Sequence, residues 1–191
     1  MPPKNKFTKD EIIQAALEIT RKDGFEAVSA RAVAQKLNSS TKVIFGFYQN
    51  MGAFLDDVKQ SANAAYESFM QAHIRGELPY KASGMAYIRF AQEEKELFRL
   101  LFMRDRSQET VAEDRKSLRP LLKMIEKSTG LDEDSAYLFH IEMWIFVHGI
   151  ATMYATHYLE LDWALISDML TDCFEGLKVR FQTKERKNGS D

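Results

Sequence analysis

Cysteine occurs once in this chain, at Cys173, which excludes an internal disulfide framework and any cysteine-rich metal site and fits a reducing compartment. No apolar signal region opens the sequence and no apolar run is long enough to span a bilayer, so a soluble, cytoplasmic protein with no membrane partner is expected. Glycine-rich phosphate loops, HExxH and nucleophile elbows are all missing, as are internal repeats and any low-complexity segment beyond a short polar tail. No stretch alternates apolar and polar residues as a strand would. With 191 residues and 45% hydrophobic content, the chain can still bury a sizeable core. What is present is helical periodicity throughout, and an all-α fold of about nine helices follows.

The first helix announces itself with Thr8 and Glu11, spaced as a capping box. Ile12, Ile13, Ala16, Leu17 and Thr20 then recur at three- and four-residue steps until Gly24, which tolerates a left-handed cap. Ser29 is placed to cap a second helix with Val33, Ala34 and Leu37 inward. Asn38, Ser39 and Ser40 turn the chain, Asn38 being able to take a left-handed conformation almost as glycine would. A third helix follows over roughly 40–47. An amphipathic helix, a short helix, a tight turn and another short helix form the layout of a helix-turn-helix DNA-binding head.

The series Ala15-Ala16-Leu17, Gly24-Phe25, Ser29-x-Arg31-x-Val33-Ala34, Leu37, Ile44-Phe45-x-Phe47-Tyr48, Asn50 and Phe54-Leu55 resembles the head of the TetR family of bacterial transcriptional regulators. The match in order and spacing runs over about fifty residues, and the resemblance implies a DNA-binding head on a helical body that senses a ligand and dimerises. Departures stand beside it. The family's usual Gly-Val turn is Asn38-Ser39 here, which implies a looser turn, and its Tyr-x-His-Phe is replaced by Phe45, Gly46, Phe47 and Tyr48. Met51 stands where a lysine is common. Each lost phosphate contact would reduce the salt dependence of DNA binding by roughly 0.9 in log-log slope.

Contacts to DNA are expected from Arg31, which can fork onto a guanine edge or hold a phosphate, and from Thr41 and Lys42 near the start of the third helix. Phe45 lies on the same short helix, and Ser29, Ser40, Tyr48 and Gln49 are candidate phosphate donors. Lys4, Lys6 and Lys9 form a basic arm, to be read equally as a solvated terminus or a minor-groove contact. Over residues 1–49, eight Lys or Arg face five Asp or Glu, a balance of +3 in a chain whose net charge is −2. A mildly basic head on an acidic body suits one nucleic-acid face. The operator would be double-stranded DNA.

Beyond the head, Asn50 is placed to cap a long fourth helix ending before Gly76 and Pro79, and Asp132 and Asp162 to cap the eighth and ninth. Residues 1–50 are assigned to the head, 51–183 to an effector-binding and dimerisation body and 184–191 to a polar tail expected to fray. Between Ala136 and Tyr158 apolar residues occur on nearly all sides, which marks a buried helix. Its partner carries Ile166, Leu170, Cys173, Phe174 and Leu177 on one stripe. Pairing both helices with those of a second subunit, as a four-helix bundle, would bury them, so Ile166, Leu170, Phe174 and Leu177 are expected at a homodimer interface. TetR-like proteins use this dimerisation mode, and Trp144-x-x-x-His148-Gly149 is similar to a motif in the bodies of some members.

Met and aromatic residues line adaptable apolar sites. Phe90, Phe98, Phe102, Trp144, His148 and Tyr154 are therefore candidate contacts for a small apolar or aromatic effector, set against the alternative that they are core packing. His140, His148 and His157 are expected on one helix at steps of eight and nine residues, about 80° and 180° apart, so they do not converge on a metal. Cys173, on an apolar stripe, is expected to be inert. No cofactor, metal or catalytic residue is assigned. The reading is a TetR-like repressor released by an effector, with a TetR-like ligand-binding or interaction protein lacking sequence-specific DNA binding as the alternative.

Overall fold

A computed structural model describes residues 7–76, 78–107 and 115–188, with side chains to 183. Among these residues there are helices and no strand. Lys4 and Lys6 of the basic arm lie outside them.

By contact the chain divides into two compact units, Met1–Phe69 with Glu93–Arg104, and Met70–Gln92 with Asp105–Asp191. The first unit begins with α1, Lys9–Asp23, whose Thr8 cap accepts the Glu11 amide at 3.2 Å while the Glu11 carboxylate accepts the Thr8 amide at 2.7 Å. Ile12, Ala16 and Leu17 are buried, and the one hydroxyl among them, Thr20, donates to the Ala16 carbonyl at 3.0 Å. Gly24 ends the helix at φ 84° and ψ 161°, a region open to glycine rather than the left-handed well expected. A 3-10 turn, Phe25–Ala27, leads to α2, Ala30–Lys36, capped by Ser29 through the Ala32 amide at 3.2 Å.

Asn38 takes φ 48°, and the Asn38 and Ser39 amides bond back to the Gln35 and Ala34 carbonyls at 3.0 and 2.8 Å. This pair of bonds is a Schellman closure. The turn is therefore not looser for lacking Gly-Val, because asparagine reaches the left-handed conformation at modest cost. The third helix is shorter than expected: α3 is a single turn, Lys42–Phe45. Then α4, Met51–His73, starts from Asn50, whose side chain accepts the Ala53 amide at 2.9 Å. Residues Pro79–Glu93 form α5, and Lys95–Phe102 form α6, which packs on α1 in the first unit.

The second unit is completed by α7, Arg119–Thr129, α8, Glu133–Ala155, and α9, Trp163–Asn188. Asp132 caps α8 through the Ser135 amide at 2.8 Å, and Asp162 holds the Ala164 amide at 2.8 Å. Leu122, Ile125, Leu131, Ala136, Phe139, Met143 and Phe181 form one buried cluster. Gly84 lets α5 approach closely, since a Cβ there would lie 3.0 Å from Leu170 Cδ2 and 3.4 Å from Val147 Cγ2. Helix α9 runs past residue 184 to Asn188, so it reaches into the segment assigned to the polar tail. One expectation changes here. His157 is not on α8 but just past it, at φ 55°, with the Tyr158 amide bonded to the Met153 carbonyl at 3.0 Å as a second Schellman closure.

Candidate functional site

In the first unit, Ser29, Arg31, Ser40, Thr41, Lys42 and Gln49 are all exposed, and Phe45 is 48% exposed. On a helical turn Thr41 and Phe45 lie four residues apart, hence on one face with Lys42 beside them. Ser29 keeps its hydroxyl on the α2 amide, so its side chain positions the helix that carries Arg31. Tyr48 is corrected. It is 7% exposed, stacks edge-on against Phe54 at 5.1 Å between centroids, and donates its hydroxyl proton to Asp57 Oδ2 at 2.5 Å. A buried phenol whose only proton is committed to a carboxylate is not a phosphate donor.

Lys9 completes that arrangement, with Nζ 2.8 Å from Asp57 Oδ2 and 5.3 Å from the centre of the Tyr48 ring. The hydrogen bond from Lys9, then that from Tyr48, holds the Asp57 carboxyl below its ordinary value, while burial first and Asp57 second push the Tyr48 phenol up. Three side chains from α1, the segment that follows α3, and α4 are thus tied together. No sequence spacing pointed to this triad, because its members are far apart in the chain.

The expected effector residues separate into two groups. Phe98 and Phe102 belong to the first unit, where their rings lie 5.1 Å apart and Phe102 also meets Tyr66 at 5.0 Å. Phe98 is fully buried, as are Phe90 and Tyr154 to within 1% in the second unit, so these three are packing residues as they stand. Tyr154 spends its hydroxyl on the chain itself, donating to the Leu161 carbonyl at 2.5 Å and accepting the Leu161 amide at 3.0 Å. Trp144 and His148 remain half-buried and stacked, 4.9 Å between ring centroids. The Tyr87 hydroxyl meets His148 Nδ1 at 2.9 Å, and burial, then Arg106, lowers the imidazole pKa. One rung along the same helix pair, Tyr80 meets His140 Nδ1 at 3.0 Å.

Of the expected interface residues, Ile166 and Leu170 are 0% and 2% exposed within the single chain. Phe174 and Leu177 are partly buried against the second unit's core. Ile166 and Leu170 therefore face inward within the single chain, while Phe174 and Leu177 keep part of their surface exposed. The outward positions are others: Leu138 and Ile145 on α8, and Leu165 and Val179 on α9, at 52%, 60%, 48% and 63% exposure. Glu142 and Arg180 pair across the same two helices. Cys173 is half-buried, its thiol pushed up by burial and then by Glu142.

Among the described residues no cluster of His, Cys, Asp or Glu is arranged to hold a metal, and no helix is long and apolar enough to cross a membrane.

A family model for the tetracyclin repressor-like C-terminal domain matches residues 80–176. The fold is similar to that of a TetR family transcriptional regulator from Vibrio parahaemolyticus, at 16% identity over 89% of this chain and 96% of that one, with a TM-score of 0.63. A TetR-like transcriptional regulator from Rhodococcus sp. RHA1 is similar at 16% identity, covering 92% and 95%, with a TM-score of 0.63. A TetR variant from Acinetobacter baumannii AYE, solved in complex with minocycline, is similar at 17% identity, covering 95% and 98%, with a TM-score of 0.52. No curated protein matches the chain in sequence. The domain match spans just over half of the chain, so the chain belongs to the TetR family of transcriptional regulators.

Proposed function

We propose that this regulator is a homodimer that binds a double-stranded DNA operator and represses transcription until a small effector lowers its affinity. The observation that carries the reading is the head. Arg31, Thr41, Lys42, Phe45 and Gln49 are exposed around a turn closed by two main-chain bonds at Asn38, with Ser29 and Ser40 at its edges. An Arg and a Lys beside short polar side chains suit base edges and phosphates in a major groove.

Dimerisation is favoured by the outward face of α8 and α9. Leu138 and Ile145 are seven residues apart, and Leu165 and Val179 fourteen, which is heptad spacing. Gly149 and Gly176 fall on the same stripes, and a Cβ at either would meet open space within the chain. A second copy packing there, as a four-helix bundle, covers apolar surface that one chain leaves wet. The effector reading centres on Trp144, His148 and Tyr87, an aromatic group with one polar anchor. The minocycline complex supports a small-molecule input for a regulator of similar fold.

The test is a binding titration of DNA from the gene's own upstream region at several salt concentrations, beside an unrelated duplex. The expected result is tight, sequence-dependent binding whose logarithm falls linearly with log salt, by about 0.9 per phosphate contact. Equal affinity for both duplexes, or none for either, would reject operator recognition and leave a ligand-binding protein of this fold.

A further inference from the structure

Outside the Trp144 cluster, the second unit carries an open groove of about 710 Å³ between the end of α4 and the outer face of α5. Among the described residues its lining carries charge of one sign. Arg75, Lys81 and Arg89 contribute three cationic side chains and His73 an imidazole, and no Asp or Glu is among the lining residues described. Leu78, Met85 and small alanines add apolar surface to it.

Helical spacing orders these groups. Lys81, Met85 and Arg89 follow one another at steps of four on α5, so a single stripe runs cation, thioether, cation over about 12 Å. Both cations are held by α9. The Lys81 ammonium donates to Thr171 Oγ1 at 2.8 Å, a neutral partner that takes one of its three protons, and the Arg89 guanidinium lies 4.9 Å from the centre of the Trp163 ring. A fixed cation next to a soft apolar strip matches a molecule with an anionic head and an apolar body.

We propose that this groove binds an amphiphilic organic anion, its carboxylate or phosphate head between Arg75 and Lys81 and its apolar tail along Met85. This is a second ligand site, separate from the Trp144 group, and it rests on the regulator reading above only in giving that ligand a consequence. Its location at the end of α4, the helix that also runs into the first unit, offers the ligand a covalently continuous path toward the head.

Calorimetry on the full chain at neutral pH and low salt, with no DNA present, tests the site directly. The probes are decanoate, decyl phosphate, decanol and decyltrimethylammonium, each below its aggregation limit. At least one of the two anions is expected to bind about tenfold more tightly than decanol, with no measurable binding of the cation. The tighter anion identifies the head group. Lys81→Gln and Arg75→Gln should each weaken it by about fivefold or more while the melting temperature stays within a few degrees. Equal binding of decanol and the anions, unchanged anion affinity in both variants, or binding of none of the four probes would overturn the proposal. Because DNA takes no part, loss of this site would leave operator recognition standing, and the reverse.

Discussion

The hydroxyl of Tyr48 donates to Asp57 Oδ2 at 2.5 Å, tying the segment after α3 to the first turns of α4. Lys9 reaches the same oxygen from α1. Tyr48→Phe keeps the ring against Phe54 and removes only the hydroxyl. It should cost about 0.5 to 1.5 kcal/mol, lowering the melting temperature by roughly 2 to 4 °C per kcal/mol. Thermal melts of parent and variant check this. An unchanged melting temperature would mean that Asp57 and Lys9 hold the corner without the phenol.

Arg31→Ala and Lys42→Ala remove exposed side chains that are not part of the head's core. Each should weaken operator binding by about 1 to 3 kcal/mol and leave the fold intact. Gel-shift titration at fixed salt measures the loss. Parent-like binding by both variants would place the DNA contact elsewhere.

The interface prediction contrasts the two faces of the last helices. Leu170→Glu buries a charge beside Gly84 and Val147 and should unfold the second unit, because an unpaired carboxylate has no partner there. Ile145→Glu and Val179→Glu place charge on the outer stripe and should yield a folded monomer of half the parent's mass by sedimentation. A folded dimer from both outer variants would remove that stripe from the interface.

Acid should weaken the second unit partly through His148. Its folded-state pKa is lowered from 6.5, so the unfolded chain takes up the proton first. The stability this group contributes is therefore complete above about pH 6.5 and is lost as pH falls through that value toward the folded pKa. His148→Gln should flatten the fall in melting temperature between neutral and mildly acidic pH. An equal slope in parent and variant would assign the acid sensitivity to other groups.

How much of this was legible in the sequence follows the range of the interactions. The caps at Thr8, Ser29, Asn50, Asp132 and Asp162 were readable because each bonds within three residues of itself. Tyr48 was misplaced because Phe45, Phe47 and Tyr48 alternate within four residues, and only Asp57 and Phe54 decide which ring turns inward. Ile166 and Leu170 were assigned to a partner because periodicity reports that a stripe is covered, not by what. The cationic groove was missed altogether, its polarity being set by how α5 meets the end of α4 and α9 rather than by any run of basic residues.

The two tyrosine–histidine pairs join α5 and α8 at two points. Tyr80 and Tyr87 are seven residues apart, about 10.5 Å of helix, whereas His140 and His148 are eight apart, about 12 Å. Both bonds form at one relative position of α5 and α8, so sliding one helix along the other by a full turn, about 5.4 Å, would break the two together.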